Sequence, residues 1–130
     1  MSVAMSSQLN TKNQQAMNLD WAEGLHCAVT VCDTEGKVIY MNEKSRETFN
    51  KGGKSMVGQN LFPCHNERSQ AMIRHMMESD TINAYTITKN GQRKMIYQSP
   101  WRGADGKVAG MVEISMVIPN EMPHYDRDKK

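Results

Sequence analysis

The strongest constraint on the fold lies in the last third of the chain, where three segments with strand character follow one another through short polar turns. The segments cover residues 82–88, 94–101 and 107–118. The turns between them contain Asn90-Gly91 and Asp105-Gly106, and such pairs are typical of tight hairpin turns. The pattern therefore predicts an antiparallel meander.

A second hairpin is predicted near the start of the chain. Residues 26–32 are small or β-branched, Asp33-Thr34-Glu35-Gly36 reads as a turn, and an apolar segment follows over residues 37–41. Because side chains alternate along a strand, Cys27 and Cys32 face opposite ways and cannot pair within one flat strand.

Helices are predicted between these two groups of strands. One short helix is capped by Asn42 and extends to Phe49, before Gly52-Gly53. A longer helix is expected from about residue 66 to 78, where apolar residues recur at helical spacing. The order predicts an α+β fold, with an antiparallel sheet, helices over one face and a natural pocket between them.

The size of the chain, 130 residues of which 38% are hydrophobic, fits one domain. Residues 1–15 are polar and predict a flexible N-terminal arm. The domain is expected over residues 16–118, beginning with a short amphipathic helix over residues 16–23 that could cap the domain or pair with a second copy. Residues 119–130 read as a solvated, flexible tail.

Composition argues against several classes of function. The net charge is +2, from 16 basic and 14 acidic residues that are interspersed, so nucleic-acid binding is not expected. No apolar run approaches the roughly 20 residues of a membrane span, and the polar start has no signal-peptide core, so a cytoplasmic protein is expected. Three cysteines without CxxC spacing predict reduced thiols, and twelve methionines suit an adaptable interior, although any single Met can simply fill a gap.

The candidate site begins at Cys64 and His65, which follow Pro63 where a loop becomes the longer helix. Backbone N–H groups and the helix dipole favour a thiolate or an anionic ligand at such a position. The alternative is that Cys64 packs as a small apolar residue while His65 or Asn66 satisfies the helix start.

The chain resembles the PAS domain family over roughly residues 21–118. The resemblance rests on the segments Asp33–Asn42, Val57–Asn60 and Asp105–Val112. It implies a five-stranded antiparallel sheet in the order 2-1-5-4-3, with helices enclosing a small-molecule cavity.

Residues 64–69, Cys-His-Asn-Glu-Arg-Ser, resemble more narrowly the CHxx(K/R)S motif of a PAS subgroup that occurs beside hemerythrin-like domains. That subgroup usually carries two prolines where this chain has Asn66 and Glu67. Flavin photoreceptors of the family place a reactive cysteine where this chain has Leu61, which argues against a light sensor.

The cofactor is not identified by the sequence, and haem is one possibility. Haem-binding members that resemble oxygen sensors use a histidine near the start of the pocket helix, where Arg68 aligns in this chain. Haem binding would therefore depend on Cys64, His65, His75 or the nearby methionines, which are all plausible iron ligands, and His65 is the expected metal ligand if haem binds.

The most favoured function is a sensory module that binds a small molecule or cofactor and acts through a separate signalling protein or its own homodimer. The predicted binding residues are Cys64, His65, Arg68, Ser69, Met72 and Met76 on the helix side, and Tyr97, Val112 and Ile114 on the sheet side. Gln98 is the alternative to Tyr97 on its strand, and the sequence leaves open which face of these strands points inward.

The alternatives are a haem-based or thiol-based redox or gas sensor, and a ligand-free dimerisation or adaptor module. An enzyme is not expected. Adjacent helical residues point about 100° apart, so His65 is badly placed to act as the base for Cys64.

Overall fold

The computed structural model describes residues 19–49, 56–60 and 66–129, and a sheet and helices account for most of them. The elements are β1 (Ala28–Asp33), β2 (Val38–Met41), α1 (Glu43–Phe49), α2 (Glu67–Ser79), β3 (Asn83–Lys89), β4 (Gln92–Arg102) and β5 (Val108–Ile118). Each follows its predicted segment to within about two residues. Residues 19–23 are also helical, whereas the predicted arm over residues 1–15 and the start of the helix predicted over 16–23 lie outside the described residues.

The strands form one antiparallel sheet in the order β2-β1-β5-β4-β3. The predicted hairpin supplies one edge of this sheet and the predicted meander supplies the other. The first and last strands of the chain order, β1 and β5, therefore lie side by side near the centre. The α+β class and the strand order implied by the family resemblance are both confirmed.

One face of the sheet carries the helices and is called here the helix face. Met111 of β5 and Cys32 of β1 are register partners, and both pack against Ile73, Met76 and Met77 of α2. Because side chains alternate along strands, every second residue shares this face. On the five-stranded register these residues include Ala28, Thr30, Cys32, Asn83, Tyr85, Ile96, Gln98, Met111, Glu113 and Ser115. The opposite face is called the outer face.

Helix α2 is fixed at both ends by side-chain and backbone caps. Asn66 is the N-cap, and its Oδ1 accepts a hydrogen bond from the backbone N–H of Ser69 over 2.8 Å. Asp80 ends the helix in the left-handed conformation, with φ of 53°. Between these caps Ile73, Met76 and Met77 are buried, so α2 is held on the sheet by its second half.

Helix α1 is tied to the sheet by the buried side chain of Asn42. Its Oδ1 accepts the backbone N–H groups of Ser45 and Val29, each over 2.9 Å. Its Nδ2 donates to the carbonyl oxygens of Ala22 and Cys27 over 2.8 and 2.9 Å. The predicted helix cap at Asn42 is confirmed, and this one amide also joins the preceding helical residues and β1 to α1.

Candidate functional site

The helix face carries a line of polar residues where a filled core would carry apolar ones. Thr30, Glu113, Gln98 and Asn83 are consecutive register partners across β1, β5, β4 and β3. At about 4.8 Å between strands, this line extends roughly 14 Å across the sheet. These four residues are called here the polar row.

Two hydrogen bonds hold the ends of the polar row in place. At one end, the hydroxyls of Thr30 and Ser45 are 2.5 Å apart, which joins the row to α1. At the other end, Asn83 Nδ2 donates to Gln98 Oε1 over 3.1 Å. Thr30 and Gln98 are only 7% and 8% exposed, and buried polar groups that are hydrogen-bonded in this way are fixed in orientation. The row is therefore a pre-ordered set of polar groups.

Glu113 occupies the middle of the polar row and is half-buried. Its charge reaches neighbours on both sides along the helix face. Burial raises the pKa of the Cys32 thiol, a hydrogen bond from the Met111 backbone opposes this, and the negative charges of Asp33 and Glu113 raise it further. Burial also raises the pKa of the Tyr85 hydroxyl, with Glu113 adding to the effect. The Glu113 carboxylate thus lies between the core thiol and a tyrosine.

The wall above the sheet is formed by the second half of α2. Met72, His75 and Met76 line a cleft of about 150 Å³ together with Thr81, Ile82 and Asn83. Asn83 belongs both to this cleft and to the polar row, whereas Thr30, Gln98 and Glu113 do not line the cleft. The predicted wall residues Met72 and Met76 do lie together, although Met72 is 48% exposed and therefore sits at the rim of the cleft.

The remaining helix-side residues of the predicted site are placed unevenly. Arg68 is exposed on the first turn of α2, and Ser69 is half-buried with its backbone N–H committed to the Asn66 cap. Cys64 and His65 fall outside the described residues. The cysteines that are described, Cys27 and Cys32, are both free thiols.

The placement predicted for Tyr97, Val112 and Ile114 needs correction. Tyr97 pairs with Ile114, and Val112 pairs with Val31. These residues alternate with Cys32 and Met111 along the sheet, so they point to the opposite face. These three side chains therefore lie on the outer face and do not face α2. The strand alternation was predicted correctly, but the inward set on β5 is Met111, Glu113 and Ser115.

Apart from Gln98, which was the alternative to Tyr97, the polar row was not predicted, because polar residues in strands usually face solvent. A signal was present in the sequence, since Glu113 is the single charged residue within the apolar segment 108–118. A charge in the middle of a central strand requires a polar or solvated surrounding. The alignment of Glu113 with Thr30, Gln98 and Asn83, however, depends on the register between neighbouring strands. It could not be obtained from the sequence of one strand alone.

The described residues do not fit haem at His75. The cleft beside His75 measures about 150 Å³, below the roughly 300–1,000 Å³ typical of pockets for larger ligands. No group of three or more His, Cys, Asp or Glu side chains comes together among residues 19–49, 56–60 and 66–129 in a way that could hold a metal ion. Within the same residues, no helix has the length and apolar character needed to cross a membrane.

The architecture defines a small α+β domain in which helices pack on one face of a five-stranded antiparallel sheet. The chain belongs to the PAS fold family, whose family model matches residues 22–121. Domains of this family are generally sensory rather than catalytic. Among curated protein sequences, none matches the chain.

Solved structures show the same fold at low sequence identity. A sensory box sensor histidine kinase from Vibrio cholerae is 13% identical with a TM-score of 0.58, over 88% of this chain and 98% of that one. The PAS domain of a Colwellia psychrerythraea protein is 18% identical with a TM-score of 0.61, over 80% and 96%. The Vibrio cholerae protein VqmA, solved bound to DPO, is 15% identical with a TM-score of 0.65, and the match covers 81% of this chain but 58% of VqmA.

Proposed function

We propose that this chain is a sensory PAS module that binds a small molecule between the helix face and α2. The bound state would be passed on through a second copy of the chain or a separate signalling protein. The observation that carries the proposal is the polar row, because it places ordered hydrogen-bonding groups on the helix face, where packing alone would favour apolar side chains.

The contacts around the polar row favour a ligand-binding site rather than a filled core. Toward Cys32 and Met111, the sheet is closed by Ile73, Met76 and Met77. Further along the same face Glu113 stays half-buried although it lies on a strand with neighbours on both sides. Apolar walls with a few ordered polar groups are the usual composition of a small-molecule site.

Residues of α2 would complete the site from above. Met72 and Met76 supply adaptable apolar surface beside Asn83, and thioethers repack easily around a guest. Cys64 and His65, just before the helix, and Arg68 and Ser69 on its first turn remain proposed contributors at the entrance. In this arrangement a ligand would bridge the sheet and the helix.

A homodimer through the outer face is the proposed route for output. The outer face carries Met95, Tyr97, Val112, Ile114 and Met116, all of them half-buried apolar or aromatic side chains. A contiguous apolar surface of this kind is typical of an interaction site. Strand β5 contributes alternate residues to both faces, so a ligand that shifts Glu113 would also shift Val112 and Ile114.

The ligand-binding proposal is tested by a thermal-shift screen of small polar compounds against the parent protein and Gln98→Leu. Binders should raise the melting temperature of the parent and lose most of that effect in Gln98→Leu, because the substitution removes the central amide of the row. Thr86→Ala, on the exposed outer side of β3, is the matched control and should respond like the parent. Binders that respond equally in all three proteins, or a folded protein that binds nothing, would favour the ligand-free adaptor.

The dimer is tested by light scattering over a concentration series. Ile114→Glu should produce a monomer if the outer face joins two copies, while Ala71→Glu, at an exposed position of α2 on the other side of the sheet, should leave the assembly unchanged. A parent protein that stays monomeric at every concentration would contradict this part of the proposal.

The haem or thiol alternative has its own spectroscopic test. Haem is added to the parent, Cys64→Ala and His65→Ala proteins, and the ultraviolet-visible spectrum is recorded. A Soret band that shifts or disappears in either substituted protein would replace the small-molecule proposal with a haem sensor. A peroxide response that is lost in Cys64→Ser would instead indicate a thiol switch.

A further inference from the structure

We propose that the open edge of β3 binds an extended segment of a separate signalling protein as an additional antiparallel strand. This segment carries acidic residues at its start and an apolar residue at its end. The inference rests on the proposed function, since it names the contact through which the sensory module would act on a partner. It depends on the edge of β3, the basic residues beside it and the cleft where the strand begins.

Strand β3 is an edge strand without the features that usually prevent edge pairing. It lies last in the sheet order and, of the strands that the structure describes, pairs only with β4. Alternate backbone N–H and C=O groups of β3 therefore point away from the sheet. The register with β4 is continuous from Asn83 to Lys89, with neither a bulge nor a proline, and residues 84–89 are exposed. Such an edge is a template for a further strand.

The other edge of the sheet is closed by the chain itself. Val38 of β2 donates its backbone N–H to the carbonyl of Gln59 over 2.8 Å, and its own carbonyl accepts the N–H of Gly58 over 2.7 Å. Lys37 and Asn60 form a further bridge beside this strand. Of the two edges, β3 is therefore the one that is open to a strand from another protein, and its seven residues exceed the four of β2.

The charges around β3 favour an acidic partner. Residues 81–104 contain no Asp or Glu, whereas Lys89, Arg93 and Lys94 lie together around the β3–β4 turn. None of these three side chains forms an ion pair within the part of the chain that the structure describes. In an antiparallel arrangement the first residues of the added strand would lie beside this turn. Carboxylates at those positions would complement the basic side chains.

The side chains along β3 specify the middle of the added strand. Tyr85 and Ile87 share the helix face and are 44% and 38% exposed. Apolar β-branched residues opposite them would form favourable cross-strand pairs. On the outer face, Ala84, Thr86 and Thr88 are small and exposed, and Thr is a favourable partner for Thr across two strands. A segment in which Val and Thr alternate therefore suits this edge.

The cleft beside α2 lies where the added strand would end. Its walls come from α2 and from the residues at which β3 begins, namely Met72, His75, Met76, Thr81, Ile82 and Asn83. A volume of about 150 Å³ has room for one apolar side chain, which a residue opposite Asn83 would supply. The partner would then contact both β3 and α2. Because α2 also covers the proposed ligand site, a ligand that shifts α2 would change the contact with the partner.

The test uses the peptide Glu-Glu-Thr-Val-Thr-Val-Thr-Leu with blocked ends, which carries these features in antiparallel order. Calorimetry measures its binding to the full chain, and NMR follows the hydrogen exchange of the β3 amides. Binding should protect alternate amides of β3, those that point away from β4, and added salt should weaken it.

Two control peptides separate charge from backbone pairing. One has two lysines in place of the two glutamates, and the other has Pro-Pro in place of the second Thr-Val. Both should bind about tenfold more weakly or less. The lysines would meet the basic residues at the turn, and one of two adjacent prolines must remove an N–H group that pairs with β3.

Charge reversal in the protein locates the contact. Lys89→Glu combined with Lys94→Glu should weaken binding of the acidic peptide by about tenfold or more and should favour the lysine peptide. Lys37→Glu combined with Lys107→Glu is the matched control and should bind like the parent, because it changes the net charge equally in turns at the opposite end of the sheet. Thermal unfolding shows whether each variant is folded. If the reversed pair does not fold, Lys89→Gln combined with Lys94→Gln gives the comparison through loss of charge.

Several results would overturn the inference. Equal binding of the acidic and lysine peptides would remove the charge recognition, and binding that leaves the exchange of the β3 amides unchanged would place the peptide elsewhere. Protection of the same amides that grows with protein concentration in the absence of peptide would assign the edge to a second copy of the chain. If no peptide binds but compounds in the thermal-shift screen do, the proposed function stands and this inference fails. If nothing binds in either experiment, both fail.

Discussion

The indole N–H of Trp101 donates a hydrogen bond to the main-chain carbonyl of Cys32, with 3.0 Å between Nε1 and the oxygen. Trp101 lies on β4 and Cys32 on β1, so the indole reaches across β5, the strand between them. Gly110 is the register partner of Trp101 and is where the side chain crosses. This single contact joins three strands at one end of the sheet.

Trp101→Phe should lower the free energy of unfolding by about 1 kcal/mol, the usual net value of one such hydrogen bond. The substitution keeps an aromatic ring but removes the donor. Urea unfolding measures the effect, and Trp21→Phe is the matched control because Trp21 is exposed. An equal loss in both variants would mean that the Trp101 bond adds nothing of its own.

Gly110→Ala should destabilise the protein more strongly, by about 3 kcal/mol or more. A Cβ at this position would lie 1.8 Å from the Cys32 carbonyl oxygen and 2.6 Å from Trp101 Nε1. The first of these atoms belongs to the backbone and cannot move without disturbing the pairing of β1 with β5. Gly103→Ala, where the nearest atom would be 3.4 Å away, is the control and should cost little. Similar unfolding curves for the two variants would contradict the close approach.

Asn42→Ala should cost about 2 kcal/mol or more, because it removes a helix cap and also leaves buried backbone groups without their partner. The carbonyls of Ala22 and Cys27 and the N–H of Val29 all depend on this amide. Asn66→Ala removes the exposed cap of α2, with its single bond to Ser69, and should cost about 1 kcal/mol. Chemical unfolding of the two variants compares them directly, and a larger loss at Asn66 would refute the assignment of Asn42 as the joint.

The elements of this fold could be predicted from the sequence because their signals are local. The turn pairs Asn90-Gly91 and Asp105-Gly106 fix where the meander reverses, and both glycines adopt positive φ, 76° and 81°. Asn42 and Asn66 likewise mark helix starts through side-chain bonds to nearby residues. Strand order then followed from the family resemblance, not from any local signal.

The faces of the strands could not be predicted in the same way. Alternation divides β5 into two sets, but it does not say which set meets the helices. The more apolar set, with Val112 and Ile114, suggested the interior, whereas the interior set contains Glu113 and Ser115. Hydrophobicity did not identify the inward set, because the outer face is apolar too and because the helix face holds polar groups. Only the pairing of Cys32 with Met111, together with the packing of α2 on both, resolves the choice.

Alkaline titration should show that Tyr40 ionises later than an exposed tyrosine. Its hydroxyl donates to Glu23 Oε2 over 2.9 Å, and Glu23 is also paired with Arg46. Burial raises the pKa of Tyr40 to about 12, with the hydrogen bond to Glu23 and the charge of that carboxylate adding to the effect. An unfolded tyrosine has a pKa of about 10. The folded state therefore favours the protonated phenol.

The sign of the pH dependence follows from that difference. Because the folded pKa is raised, the stabilising contribution of Tyr40 is fully present below about pH 10 and is lost as the pH rises toward about 12. Phenolate absorbance during the titration measures the ionisation of Tyr40 in the folded protein. Urea unfolding at a series of alkaline pH values measures the loss of stability. Tyr40→Phe should remove the late-titrating phenol and reduce the loss of stability at high pH, whereas Tyr125→Phe, at an exposed position, should leave both unchanged. An unchanged late phase in Tyr40→Phe would assign the raised pKa to another tyrosine, with Tyr85 as the next candidate.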